Sequence, residues 1–165
     1  MITRAAKVIL LVGLAVYYTL VVFNNVTDFD SNFEFVRHVL MMDTTFPGNH
    51  GMWRALPWPG AHLAFYLGII AWEMVTMALL WWAAVRLARA LRGPASAFNR
   101  AKDVAVAALT ISLTMWLLAF LSVGAEWFLM WQSHLWNGQE AAFRMFAVVG
   151  LVLLIVLQPE VEGQA

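Results

Sequence analysis

The 165-residue chain contains no cysteine, which removes disulfides, thiolate metal sites, iron–sulfur clusters and a cysteine nucleophile together. Charge is scarce as well. Asp, Glu, Lys and Arg make up only 12% of the residues, about half the share of a soluble domain. The ten basic and ten acidic side chains cancel, so no positive field exists to hold nucleic acid, and a nucleic-acid partner is excluded. No two histidines stand at i,i+4, and no motif of known catalytic chemistry is present, so the expectation is a non-enzyme. What the chain has in quantity is hydrocarbon: 62% of its residues are apolar, with nine Trp and eleven Phe. A water-soluble fold of this length could not bury that much, and the composition specifies an integral membrane protein.

A hydrocarbon slab of roughly 30 Å needs about 20 helical residues at 1.5 Å each. Four runs fit, over residues 8–25, 61–85, 104–126 and 141–157. The fold class expected is all-α: one transmembrane domain over residues 1–165, a four-helix bundle with an outer lid over 26–60. Seven of the ten basic residues (Arg4, Lys7, Arg86, Arg89, Arg92, Arg100 and Lys102) precede span one or surround the turn between spans two and three. Short basic loops stay in the cytoplasm, so both termini are expected there and the lid outside.

In the lid, Ser31 followed by Glu34 has the capping-box spacing for a helix through about Met42. Phe35, Val39 and Met42 share one face, widened by Val36 and Leu40, with Glu34, Arg37, His38 and Asp43 nearer the polar side. That pattern fits a short amphipathic helix lying in the interface. Pro47, Gly48, Gly51, Pro57, Pro59 and Gly60 then break the chain, and Trp53 and Trp58 suit headgroup depth. All four histidines, His38, His50, His62 and His134, fall on this side. His38, His50 and His134 are the metal candidates, for zinc or copper with nearby carboxylates. A haem would draw on His38 and His62.

Glu73 lies about 18 Å into span two, where a carboxylate must face the bundle, be protonated or find a partner. His62 and Tyr66, eleven and seven residues back, fall within about 20° of its azimuth at 100° per residue. This stripe reads either as a proton or quinol-proton path, or as a hydrogen-bonded lock on helix rotation through Tyr17, Thr19, Thr110 or Thr114. Glu126 and Arg144 should meet near the outer ends of spans three and four, with Glu140 four residues before Arg144, as a structural ion-pair cluster.

Two long segments carry a family likeness: Asn24-Asn25-Val26-Thr27-Asp28 through His38-Val39-Leu40-Met41-Met42-Asp43-Thr44-Thr45-Phe46-Pro47, and Glu126-Trp127-Phe128-Leu129-Met130-Trp131-Gln132-Ser133 with Trp136-Asn137-Gly138-Gln139 and Ala142-Phe143-Arg144. They resemble the bacterial family of predicted small integral membrane proteins of unknown function, across nearly the whole chain. The resemblance implies four spans in a bacterial inner membrane. It supplies no activity and no catalytic residue. The expectation is a non-enzymatic accessory or assembly subunit, surrounded by lipid and packed against other membrane subunits or its own copies, with no cofactor. The alternatives are a redox or quinone-reactive protein using His62, Tyr66 and Glu73 with haem, quinone or copper, and a small transporter.

Overall fold

A computed structural model describes residues 1–161; the last four residues of the domain expected over 1–165 lie outside that range. The helices are α1 (Ile2–Thr27), α2 (Phe29–Met41), α3 (Pro59–Ala90), α4 (Ala95–Ala101), α5 (Asp103–Thr114) and α6 (Gln139–Leu157), and α5 runs on unbroken as a π-helix over Met115–Trp127. Four stretches are long and apolar enough to cross a bilayer: α1, α3, α4 through the π-helix, and α6. The chain is an all-α four-span membrane bundle, with the first three crossings longer at both ends than their apolar runs and the fourth longer only at its start.

The spans form a ring in which α1 touches α3, α3 touches α5, α5 touches α6 and α6 closes on α1. Each contributes a buried stripe at three- and four-residue spacing: Leu11, Leu14, Ala15 and Tyr18 on α1; Leu80, Ala83, Ala84 and Leu87 on α3; Ala105, Ala108 and Leu109 on α5; Val149, Val152 and Val156 on α6. The alanines at the contacts let backbones approach closely, which is how helices associate where lipid offers no hydrophobic drive.

The second half of span three departs from the expected α-helix. Met115 and Trp116 face the core, and the next buried pair, Gly124 and Ala125, comes nine residues later. Two α-turns would bring the same face round after about seven. The wider winding shows in the donors: the Phe128 N–H reaches the Val123 carbonyl at 3.0 Å, and the Ser122 hydroxyl reaches back five residues to the Leu117 carbonyl at 2.8 Å. The extra residues per turn carry this segment against α6, while α5 keeps the contact with α3.

The lid follows α1 with almost no loop. α1 runs on past residue 25, where its apolar run ends, and only Asp28 separates it from α2. Ser31 and Glu34 therefore lie inside α2, and Glu34 pairs with Arg37 instead of forming a capping box. α2 ends at Met42, in the left-handed region at φ 55° with its side chain buried. Gly138 lies opposite α2, where a Cβ would meet the Phe35 ring at 2.9 Å and force that ring to shift.

The other end of the bundle is closed by charge. Lys7 and Lys102 both donate to the Gln158 carbonyl at 2.6 Å, just past α6. Lys7 also binds the Glu160 carboxylate at 2.6 Å, with Arg4 at 3.5 Å and Lys102 at 3.9 Å. Asn99 clasps the Glu160 backbone through both its N–H and its carbonyl at 3.0 Å. Arg4 caps the carbonyls of Leu91 and Gly93 beyond α3, at 3.3 and 2.7 Å. The start of α1, the segment after α6 and the α3–α4 turn thus lie at one basic end. Burial alone would raise the Glu160 carboxyl, but the Lys7 hydrogen bond and the charges of Lys7 and Lys102 outweigh it and hold the group below its ordinary range.

A carboxylate held low stabilises the fold above its ordinary pKa of about 4.3 and loses that contribution as pH falls through the depressed value. Glu160→Gln should lower stability by about 1.5–3 kcal/mol at neutral pH. Thermal melts in detergent should show this gap as constant down to about pH 5 and shrinking below about pH 4; a gap that widens on acidification contradicts the assignment.

Candidate functional site

The buried face of α3 at the lid end carries His62, Tyr66, Ile70, Glu73 and Thr76. His62, Tyr66 and Glu73 do share one stripe, as their spacing requires, and all three are almost fully enclosed. The group that joins two of them is Asn25 of α1. Its Nδ2 donates to Glu73 Oε2 at 2.6 Å, and its carbonyl accepts the Tyr66 hydroxyl at 3.1 Å. Of the residues expected to serve Glu73, Thr19 donates to the Ala15 carbonyl and Thr114 to that of Thr110, each within its own helix. Phe29 and Phe33 of α2 pack on Tyr66, with ring centroids 4.7 and 5.9 Å away. A second buried polar set lies among α1, α5 and the π-helix, where Tyr18 shares a 2.6 Å hydrogen bond with Ser112 and accepts Trp116 Nε1 at 2.9 Å.

His62 serves the lid. Its Nε2 lies 2.6 Å from the Leu56 carbonyl, and the Leu56 N–H donates to the Leu40 carbonyl of α2 at 2.8 Å. Two residues earlier, Arg54 Nη1 donates to the carbonyls of Glu126 and Trp127, at 3.3 and 3.0 Å, at the end of the π-helix. The segment from Met52 to Trp58 is thus a strap tied to α2, α3 and the π-helix at once. Arg54 sits 5.6 Å from the ring centroids of both Trp53 and Trp127. Its Nε is buried without a hydrogen-bond partner, and among the described residues it makes no ion pair.

Because the π-helix leans toward α6, a cavity of about 540 Å³ opens between it and α3, roofed by α2. Its lining, which includes Phe35, Phe65, Gly68, Ile69, Leu118 and Val123, presents hydrocarbon. Apart from the weakly accepting Met130 thioether, Trp72 is the one lining side chain with a hydrogen-bonding atom, and its Nε1 already donates to the Ile111 carbonyl at 3.1 Å. His62, Tyr66 and Glu73 do not line this space.

The other candidates are placed differently from expectation. Glu126, Glu140 and Arg144 are each exposed, and among the described residues no ion pair links them. The π-helix stops at Trp127 and the chain turns through Leu129 at φ 54°, so Arg54, not Arg144, meets the helix end. His38 lies 2.8 Å from Asp43 and is stacked on Trp136 at 4.8 Å. His50 and His134 are exposed. Among the described residues no three His, Cys, Asp or Glu side chains are grouped to hold a metal ion. Asn25 and Arg54 carry the site's connections, and the sequence reading missed both. Asn25 lies seven residues after buried Tyr18 and eleven after Leu14, on the same face of α1, and that spacing was the available signal.

Tyr66→Phe removes only the hydroxyl to Asn25 and should cost about 0.5–1.5 kcal/mol in a thermal or denaturant melt. His62→Leu leaves the Leu56 carbonyl without its partner; it should cost about 1–3 kcal/mol and speed protease cleavage between Met52 and Trp58. An unchanged cleavage rate would show that the strap is held without His62.

A search among curated proteins finds no match, and neither does a search among solved structures. A family model does match over residues 3–159. On that match, spanning all four crossings and the lid, the chain belongs to the family described as predicted small integral membrane protein (DUF2165).

Proposed function

We propose that this chain is a non-enzymatic accessory or assembly subunit of a bacterial inner-membrane complex, with its basic end and both termini in the cytoplasm. The observation that carries this reading is how the polar side chains inside the bundle are used. Asn25 binds both Glu73 and Tyr66, and Tyr18 binds both Ser112 and Trp116. None of these six lines the cavity beneath α2. Reactive groups in catalytic or proton-carrying sites open onto a pocket or a water path; here they tie α1 to α3, and α1 to α5 and the π-helix. What the protein turns outward is apolar helix surface, including Leu20, Phe23, Trp82 and Leu151, and a rigid bundle of that kind is suited to packing against partner helices or further copies of itself.

The redox alternative would use His62, Tyr66 and Glu73 toward a haem, quinone or metal. The His62 Nε2 and the Tyr66 hydroxyl are engaged by Leu56 and Asn25, which favours the lock over the path. The cytoplasmic assignment of the basic end rests on its share of Lys and Arg.

Affinity purification from native bacterial membranes in a mild detergent tests the proposal. It should recover the protein with stoichiometric membrane partners or as a defined homo-oligomer, and a protein that runs alone as a monomer contradicts it. Glu73→Gln, which keeps a carbonyl for Asn25 to donate to, should leave that recovery unchanged. Loss of a cellular phenotype in this variant with the fold intact would favour the proton path instead.

A further inference from the structure

We propose that the cavity beneath α2 holds one acyl chain of an anionic phospholipid, with the headgroup phosphate held at Arg54 between Trp53 and Trp127. The cavity lies between two membrane-crossing segments, residues 64–72 of α3 and 118–124 of the π-helix. At that depth the surrounding solvent is lipid, not water. Its volume of about 540 Å³ is within the roughly 300–1,000 Å³ of small-molecule pockets. The lining offers no free hydrogen-bonding side chain, so whatever part of a ligand enters must be hydrocarbon; a quinone ring or sugar would leave its oxygens unpaired. A second space of about 430 Å³ follows the same seam toward the basic end, bounded by Ala71, Val75, Thr110 and Ile111 and sharing Trp72 with the first. An extended chain fits a path of this shape better than a compact ligand does.

A cation bonded to the chain one residue from the lining identifies the headgroup. Arg54 is bonded to the carbonyl of Trp127, the residue before Phe128, which lines the cavity. The strap that carries Arg54 is bonded through Leu56 to Leu40, another lining residue. Arg54 makes no ion pair and its Nη2 makes no hydrogen bond among the described residues, whereas Arg37, the neighbouring cation of the lid, is already paired with Glu34. Trp53 is 73% exposed and Trp58 64%, as expected of rings at headgroup depth. An unpaired guanidinium held one residue from the lining of an apolar slot complements a phosphate with a hydrocarbon tail.

The test uses the full-length protein in mild detergent, titrated separately with phosphatidylglycerol and phosphatidylcholine and read by native mass spectrometry. One phosphatidylglycerol should be retained per chain, in preference to phosphatidylcholine. Gly68 lines the cavity, and a Cβ there meets nothing within 4 Å, so Gly68→Leu should fill the space without disturbing the bundle. It should weaken retention of both lipids by about tenfold. Val123→Phe, from the opposite wall, should do the same if Gly68→Leu fails to fold. Arg54→Gln, which removes the cation, should weaken phosphatidylglycerol by about three- to fivefold and phosphatidylcholine, whose choline cation offsets its phosphate, by less. Equal retention by the cavity-filling variants and the parent overturns the proposal. So does a stable dimer that excludes lipid, or equal retention of the two lipids by the parent protein.

Discussion

A carboxyl group partway along a membrane-crossing helix must find its partner inside the protein, because the surrounding hydrocarbon offers none. Glu73 finds it in Asn25, and much of the lid end follows from that contact. To present Asn25 there, α1 stays helical past the apolar run to Thr27 and turns its Leu11, Leu14 and Tyr18 face toward α3. With both helices fixed in rotation, Tyr66 meets the Asn25 carbonyl, and Phe29 and Phe33 of α2 close over it. α2 then lies across the bundle as a roof, the strap is tied between it and His62, and the space beneath becomes a roofed slot that stays open along its lipid-facing side.

The helix ends make a separate demand. The last carbonyls of a helix have no partner within it and carry the negative end of its dipole. Three of the four crossings are finished by cations from elsewhere in the chain: Arg4 beyond α3, Lys7 and Lys102 beyond α6, and Arg54 at the end of the π-helix. At the basic end Glu160 neutralises part of this charge and binds the C-terminal segment to α1 and α4. At the lid end the Arg54 cation has no such counter-ion among the described residues, which gives the two ends different chemistry although they are capped alike.

The four spans were legible in the sequence because bilayer thickness dictates their length. The alignment of His62, Tyr66 and Glu73 was legible because helical geometry fixes azimuth from spacing. Contacts between elements were not. Asn25 belongs to an Asn-Asn pair, a common helix-ending signal, and only the continuation of α1 turns it into a buried donor. Glu126 and Arg144 are adjacent on a diagram of straight α-helices, but the π-winding and the left-handed Leu129 change where the third span ends. Glu160 follows a proline beyond the last span, where local pattern reads as tail; its value comes from Lys7 and Lys102, more than fifty residues away in sequence. The cavity had no local signal either, because it exists only through the lean of the π-helix away from α3.

The Asn25–Glu73 contact is measured most directly by a double-mutant cycle: Asn25→Leu, Glu73→Leu and the pair, each compared with the parent protein by reversible unfolding in detergent or bicelles. If the two side chains satisfy one another, each single variant strands a buried polar group and the double variant strands neither. The double loss should then fall short of the summed single losses by about 1–2 kcal/mol. Additive losses would mean that Glu73 is satisfied by something other than Asn25, and the account of how α1, α3 and the lid are locked together would fail.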